Sequence, residues 1–133
     1  MVIDASIALK WLVPEEGSAA AASLIGEAEL VVPTLFHAEV GNALWAKARK
    51  GEIELAGLIG EFESLPSLVR TFDETPLAPT ALRIADELDH PVYDCIYLAL
   101  AELLDDIVVT ADRRFLRAVS MTAYKERVKE LGA

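Results

Sequence analysis

Apolar and polar positions along the chain follow two rhythms. Short apolar runs recur at Val2-Ile3, Leu30-Val31-Val32 and Ile107-Val108-Val109. Runs this short and apolar throughout predict strands buried on both faces. Between them, apolar residues return every three or four positions, which predicts helices. The stretch from Tyr93 to Phe115 carries both rhythms. Tyr93, Ile96, Leu100 and Leu103 recur at helical spacing, Asp105-Asp106 make an acidic turn, a strand follows, and Asp112 lies just past its carboxyl end.

The remaining elements fall around that unit. Val2-Ile3 opens a strand that closes at Asp4-Ala5-Ser6. Residues 7–12 read as a helix stopped before Pro14, and 18–28 as a second short helix with Ser18 as its N-cap. Pro33-Thr34 opens a long helix to about Lys50, with Gly51 as its stop. Residues 52–64 continue helically across Gly57 and Gly60. Leu68 to Phe72 reads as a third strand, and Pro76 to Asp89 as a helix capped by Thr75 with Pro79 in its first turn. His90-Pro91 is a link. Residues 112–118 give a short helical turn, Val119 to Ala123 a weak last strand, and Tyr124 to Leu131 a charged helical tail. Strands alternate with helices throughout, with no repeat or long linker. The expectation is one α/β domain over residues 1–133, a mainly parallel sheet of four to five strands with helices on both faces.

Composition narrows the function. Twelve basic residues against twenty-two acidic ones give a net charge of −10. That balance argues against binding nucleic acid through bulk charge; a nucleic-acid enzyme of this kind needs a local basic patch, a metal ion or a basic partner. The single cysteine excludes an internal disulfide framework and fits a reducing cytoplasm. No apolar run approaches the ~20 residues of a membrane span. The first residues, with Asp4 and Lys10 among them, do not read as a signal peptide.

Four acids stand where chemistry is expected. Asp4 and Asp112 each follow a core strand, and in open α/β sheets ligands bind outside the carboxyl ends of the strands. Glu39 and Asp94 sit near helix starts, and Asn42 shares a face with Glu39. Taken singly, each has a bland reading: Asp4 and Asp112 as caps, Asp94 as a partner of the helix dipole, Glu39 as a solvated side chain. Taken together they can reach one sheet edge. Clustered carboxylates repel unless a cation is present, and oxygen ligands without a Cys/His set favour Mg²⁺ or Mn²⁺. The chemistry that suits such a site is metal-assisted phosphodiester hydrolysis.

The segments DAS (4–6), ExxN from Glu39 to Asn42, YDCIYLALA (93–101) and TADRRF (110–115) resemble the PIN-domain nucleases, most closely the VapC-type toxins of toxin–antitoxin pairs. The resemblance spans nearly the whole chain in order. It implies a three-layer α/β/α sandwich, commonly dimeric, with Asp4, Glu39, Asp94 and Asp112 as an acidic metal-binding quartet. It further implies Mg²⁺- or Mn²⁺-dependent endoribonuclease activity on RNA, restrained by a cognate antitoxin. Ser6, Asn42 and Thr110 sit beside these acids and are expected to orient ligands or water. Some members carry a further acid after the last aspartate; here Arg113 and Arg114 follow it, which puts a second metal site in doubt.

Other residues are weighed against plainer roles. Arg113 and Arg114 are candidates for RNA phosphate contact, whereas Lys47, Arg49 and Lys50 read as charge at a helix C-terminus. His37 falls on a different face from Glu39 and reads as structural, and His90 as a loop residue. Cys95 lacks a basic neighbour and reads as a small buried hydrophobe. Tyr93, Tyr97, Trp11 and Trp45 read as core or interface. An aspartyl-phosphate phosphatase would need an acid at position 6, where Ser6 stands, and a receiver domain's mid-chain acceptor and later lysine are not evident. The competing non-enzymatic reading is a catalytically silent PIN-like module that acts only through a protein partner.

Overall fold

A computed structural model describes residues 1–133. Five strands form one sheet: β1 (Val2–Ile3), β2 (Val31–Pro33), β3 (Arg70–Phe72), β4 (Val108–Thr110) and β5 (Val128–Glu130), in the spatial order β3-β2-β1-β4-β5. Every pairing is parallel, with Val2 opposite both Val31 and Val108, and Ile3 opposite Val109. The helices are α1 (Ala5–Leu12), α2 (Ser18–Ser23), α3 (Leu35–Arg49), α4 (Ile59–Ser64), α5 (Ala78–Leu88), α6 (Val92–Leu104) and α7 (Arg113–Val119). α1 packs on α2 and α3, and α5 packs on α6. Right-handed crossovers, near-universal between parallel strands, put α1–α4 on one face and α5–α7 on the other.

Strand order decides where a ligand can sit. The chain leaves β1 toward β2 but leaves β4 toward β5, so the direction of winding reverses between the neighbours β1 and β4. The crevice outside the carboxyl ends of strands at such a reversal is the binding position of doubly wound sheets. The three central strands are buried at every residue, while β3 and β5 at the edges are largely exposed. Helix α6 is buried continuously from Cys95 to Ala101 against β1, β2 and β4. Tyr97, Phe36 and Phe115 are the largest fully buried side chains.

Several expected elements differ. Val119 to Ala123 is not a strand: Val119 ends α7, and the last strand is Val128–Glu130. The expected helical tail is instead a 3-10 turn at Ala123–Arg127 followed by that strand. An edge strand buries one face only, so Val128 supplies its core contact while Lys129 and Glu130 face water, a charged edge that discourages further pairing. The helix expected over 18–28 stops at Ser23, beyond which Gly26 takes a φ of 87°. Ser18 is inside that helix and not its cap; Gly17 at φ 88° holds the cap position, and the Ser18 hydroxyl accepts from the Glu15 N–H at 2.9 Å.

Residues 52–64 break into a 3-10 turn at Leu55–Gly57 and α4. Thr75 does not cap α5: it begins a 3-10 turn, and Asp73 accepts from its N–H and hydroxyl. Glu74 caps the start of α3 from across the sheet, accepting from the Thr34 and Leu35 N–H groups at 3.1 Å each. On α6, Ile96 and Leu100 are buried as expected, but Tyr93 and Leu103 are exposed, because the sheet covers the middle of the helix and leaves its ends in solvent.

Candidate active site

The sequence Asp4-Ala5-Ser6 ends β1 and starts α1 with one residue doing two things. Asp4 is 4% exposed, caps α1 by accepting from the Ser6 N–H at 3.1 Å, and also accepts from the Ser6 and Thr110 hydroxyls. Those hydroxyls are engaged on their other side as well. Ser6 Oγ accepts from the Ala111 N–H at 2.9 Å, and Thr110 Oγ1 accepts from the Asp112 N–H at 3.0 Å. Both hydroxyl protons are thus committed to Asp4, so the 3.4 Å approach between the two oxygens is a contact and not a third bond. This knot fastens the carboxyl end of β1 to that of β4, at the reversal of winding.

The other acids come in from helices. Asp112 caps α7, accepting from Arg114 N–H at 2.9 Å and Phe115 N–H at 3.4 Å through Oδ1. Asp94, in the first turn of α6, has Oδ2 at 2.6 Å from His90 Nε2. Glu39, in the second turn of α3, accepts from the buried Tyr97 hydroxyl at 2.5 Å. Oδ2 of Asp112, Oδ1 of Asp94 and Oε2 of Glu39 are left without a protein donor.

Electrostatics tie the four into one group. Burial pushes Asp4 up to about 7; its hydroxyl partners oppose that, and the charges of Asp94 and Asp112 add to it. Burial likewise raises Glu39, with Asp94 adding to the effect and Tyr97 opposing it. Asp94 is raised by burial first; His90 and Arg114 oppose the shift and Asp112 adds to it. Asp4, Glu39 and Asp94 thus each feel another acid as an unfavourable neighbour, which is the condition a cation relieves.

A hard divalent ion suits this donor set. All the candidate donors are oxygens, three acids keep a free oxygen, and the shared negative charge lacks a full counterion. No three Asp, Glu, His or Cys side chains converge closely enough to hold an ion alone. Oxygen donors of this kind suit a hard divalent ion that keeps several of its waters and uses few carboxylates.

Of the residues expected beside the acids, Ser6 and Thr110 are bonded to Asp4. Asn42 is exposed and makes no hydrogen bond to the acids; it lines an open groove of about 430 Å³ with Leu35, Ala38, Glu39, Ala43 and Tyr93. The two arginines part company. Arg114 lies close enough to Asp94 to stabilise its charge, whereas Arg113 faces a separate depression with Lys10 and Glu130. Adjacent positions lie about a hundred degrees apart around a helix, so the two side chains leave it in different directions.

His90 is not a free loop residue. Its ring stacks on Phe115 at 5.8 Å and 13°, and it grips Asp94. Pro91 hides this in the sequence, because the helix begins only at Val92 and the i,i+4 spacing from His90 to Asp94 spans a non-helical residue. Tyr97, expected only as core or interface, also holds Glu39. His37 bonds Thr71 at 3.0 Å, away from the acids. Cys95 is buried, and its thiol is pushed up to about 11, which leaves it inert as a nucleophile.

A PIN domain family model matches residues 1–120. Ribonuclease VapC3 of Pyrobaculum aerophilum is 32% identical over 118 residues, 86% of this chain and 90% of that protein. Ribonuclease VapC1 of Mycobacterium tuberculosis is 32% identical over 120 residues, 88% of this chain and 89% of that protein. The crystal structure of PAE2754 from Pyrobaculum aerophilum is similar, with a TM-score of 0.73 at 25% identity, covering 98% of this chain and 89% of that chain. With its parallel sheet, its winding reversal and its acids at the strand ends, this chain belongs to the PIN-domain family and stands among its VapC proteins.

Proposed function

We infer that this protein is a metal-dependent endoribonuclease that hydrolyses RNA phosphodiester bonds, the toxin half of a toxin–antitoxin pair. One observation carries the reading: Asp4, Glu39 and Asp94 are each raised by burial and by a neighbouring acid, Asp112 among those neighbours, beside the switch point of the sheet, in a chain whose near-full-length relatives are named ribonucleases. Mg²⁺ or Mn²⁺ would be held by some of Asp4, Glu39, Asp94 and Asp112, with water completing its shell. When bound, the ion supplies an acidified water and neutralises charge on the phosphoryl oxygens.

The chain's own groups do the rest. Ser6 and Thr110 fix Asp4, and Tyr97 fixes Glu39. Glu39, with its pKa raised by burial, is suited to take the proton of the attacking water. Hydrolysis adds that water's oxygen to phosphorus and breaks one P–O bond, leaving the departing oxygen to be protonated. Arg114, beside Asp94, supplies a phosphate contact that the net charge of −10 would otherwise deny.

Partners follow from the surface. Trp45, Leu82, Tyr93, Leu103 and Met121 are large apolar side chains left exposed, and a cognate antitoxin and a second copy of the chain in a homodimer are the partners that would cover them. No helix is long and apolar enough to cross a membrane; a cytoplasmic location belongs to the toxin reading proposed above. The same exposed apolar surface favours a second reading, a silent module that works only by binding protein.

The deciding experiment is cleavage of a structured-RNA pool by antitoxin-free protein in Mg²⁺, Mn²⁺ or EDTA, beside Asp94→Asn. Metal-dependent cutting that the variant lacks supports the nuclease. No cutting, and no thermal stabilisation by Mn²⁺, overturns it in favour of the binding module.

A further inference from the structure

His90 is a constrained side chain near the site that the quartet does not include. It lies in the short link between α5 and α6. Before it Asp89 turns the chain at φ 50°, and after it Pro91 fixes φ at −53°. Its own N–H donates to Ala85 O at 3.1 Å, anchoring the backbone to α5. Its side chain is 10% exposed and its ring lies flat on Phe115, which is itself fully buried three residues beyond Asp112. With backbone and ring both fixed, Nε2 has one place to go, Oδ2 of Asp94 at 2.6 Å.

A carboxylate in the first turn of a helix ordinarily rotates freely or folds back on the helix N–H groups. Asp94 does neither: α6 has no side-chain cap, and the acid is held from outside the helix. We propose that His90 is a positioning residue, which clamps Asp94 by one oxygen so that Oδ1 is presented to the divalent ion, and which sets the distance between Asp94 on α6 and Asp112 on α7 through the stack on Phe115. The proposal rests on the metal reading above. It differs from a simple stabilising contact, because groups that orient a metal ligand govern metal affinity, whereas a merely structural bond would show in the metal-free melting temperature alone.

The test is Mn²⁺ titration of antitoxin-free protein, read as the rise in melting temperature, with RNA cleavage measured in parallel. His90→Phe keeps a ring against Phe115 and removes the donor. His90→Gln places an N–H donor near the position of Nε2. Expected is an apparent Mn²⁺ affinity about tenfold or more weaker in His90→Phe, a metal-free melting temperature close to the parent's, and recovery of most of the affinity in His90→Gln. A His90→Phe protein that titrates like the parent overturns the proposal. So does a His90→Gln protein that recovers nothing, or a His90→Phe protein whose metal-free melting temperature falls as far as its Mn²⁺ response. A parent with no Mn²⁺ response removes the metal reading and this proposal together; a responsive parent beside an equally responsive His90→Phe removes this proposal alone.

Discussion

Replacing Asp4 by asparagine should make the metal-free protein more stable at pH 8 and no more stable at pH 4. Asp4 is raised from its ordinary 3.8 to about 7, mainly by burial. A carboxyl raised by folding contributes full stability below its unfolded pKa and loses it as pH climbs through the folded value. Between pH 4 and pH 8, the charged carboxylate should therefore come to cost the fold about 4 kcal/mol, at ~1.4 kcal/mol per pH unit. Asparagine has the shape of the protonated acid and accepts from Ser6 as aspartate does. Its amide, however, meets Thr110 Oγ1, which now donates to Asp4 and accepts from Asp112 N–H. Turning that hydroxyl costs about 1–2 kcal/mol. The net expectation is a gain of roughly 2–3 kcal/mol at pH 8, about 10 °C in melting temperature for a chain of this size, and a loss of about 1 kcal/mol at pH 4. Urea unfolding of both proteins in EDTA at the two pH values is the assay. Equal differences at both pH values, or a variant less stable at pH 8, would refute the idea that the site holds an uncompensated buried charge. The stabilised variant should also have lost its response to Mn²⁺, an instance of stability traded for function.

Three further outcomes are expected. Tyr97→Phe should cost about 1 kcal/mol through loss of its bond to Glu39 and should raise the pKa of Glu39 further, since that bond opposes the rise; a carboxyl NMR titration would show it, and an unchanged Glu39 would contradict the assignment. Gly17→Ala should destabilise by about 1 kcal/mol or more, because φ is +88° and the added carbon meets the Lys10 side chain at 3.3 Å; equilibrium unfolding checks it. Arg114→Ala should weaken RNA binding, measured by filter retention at low salt with Asp94→Asn as background, more than Arg113→Ala does. Equal losses would mean that the two arginines share one surface after all.

What could be read from the chain tracks how completely each segment is buried. β1, β2 and β4 were readable because a strand covered on both faces must be apolar at every position, and few other structures demand that of two or three residues. β5 was hidden because an edge strand places only Val128 in the core, among charges that resemble a helical tail. Asp4 and Asp112 were readable as a site because the strands they follow are those flanking the winding reversal. His90 was not, because its role depends on Phe115, twenty-five residues away in sequence and brought beside it only when α7 docks. Arg113 and Arg114 looked equivalent in a line of letters and are not equivalent on a helix. Helical spacing put Tyr93 and Leu103 on the apolar stripe of α6, Tyr93 as core or interface, and only the position of the sheet under the middle of the helix shows both to be surface.

The hydroxyl knot also has a bearing on how the molecule comes into being. Asp4 and Thr110 are 106 positions apart, and Glu39 and Tyr97 are 58 apart. At ordinary translation rates roughly 5 to 20 s separate the making of the first acid from that of the hydroxyl that secures it. During that interval β1 has no β4 to pair with, and the contacts that close the site are among the slowest kind to form. A ribosome that stalls before Val108 releases a polypeptide with three of the four acids and no place to assemble them. The four acids can therefore share one sheet edge only once β4 has been made and paired beside β1.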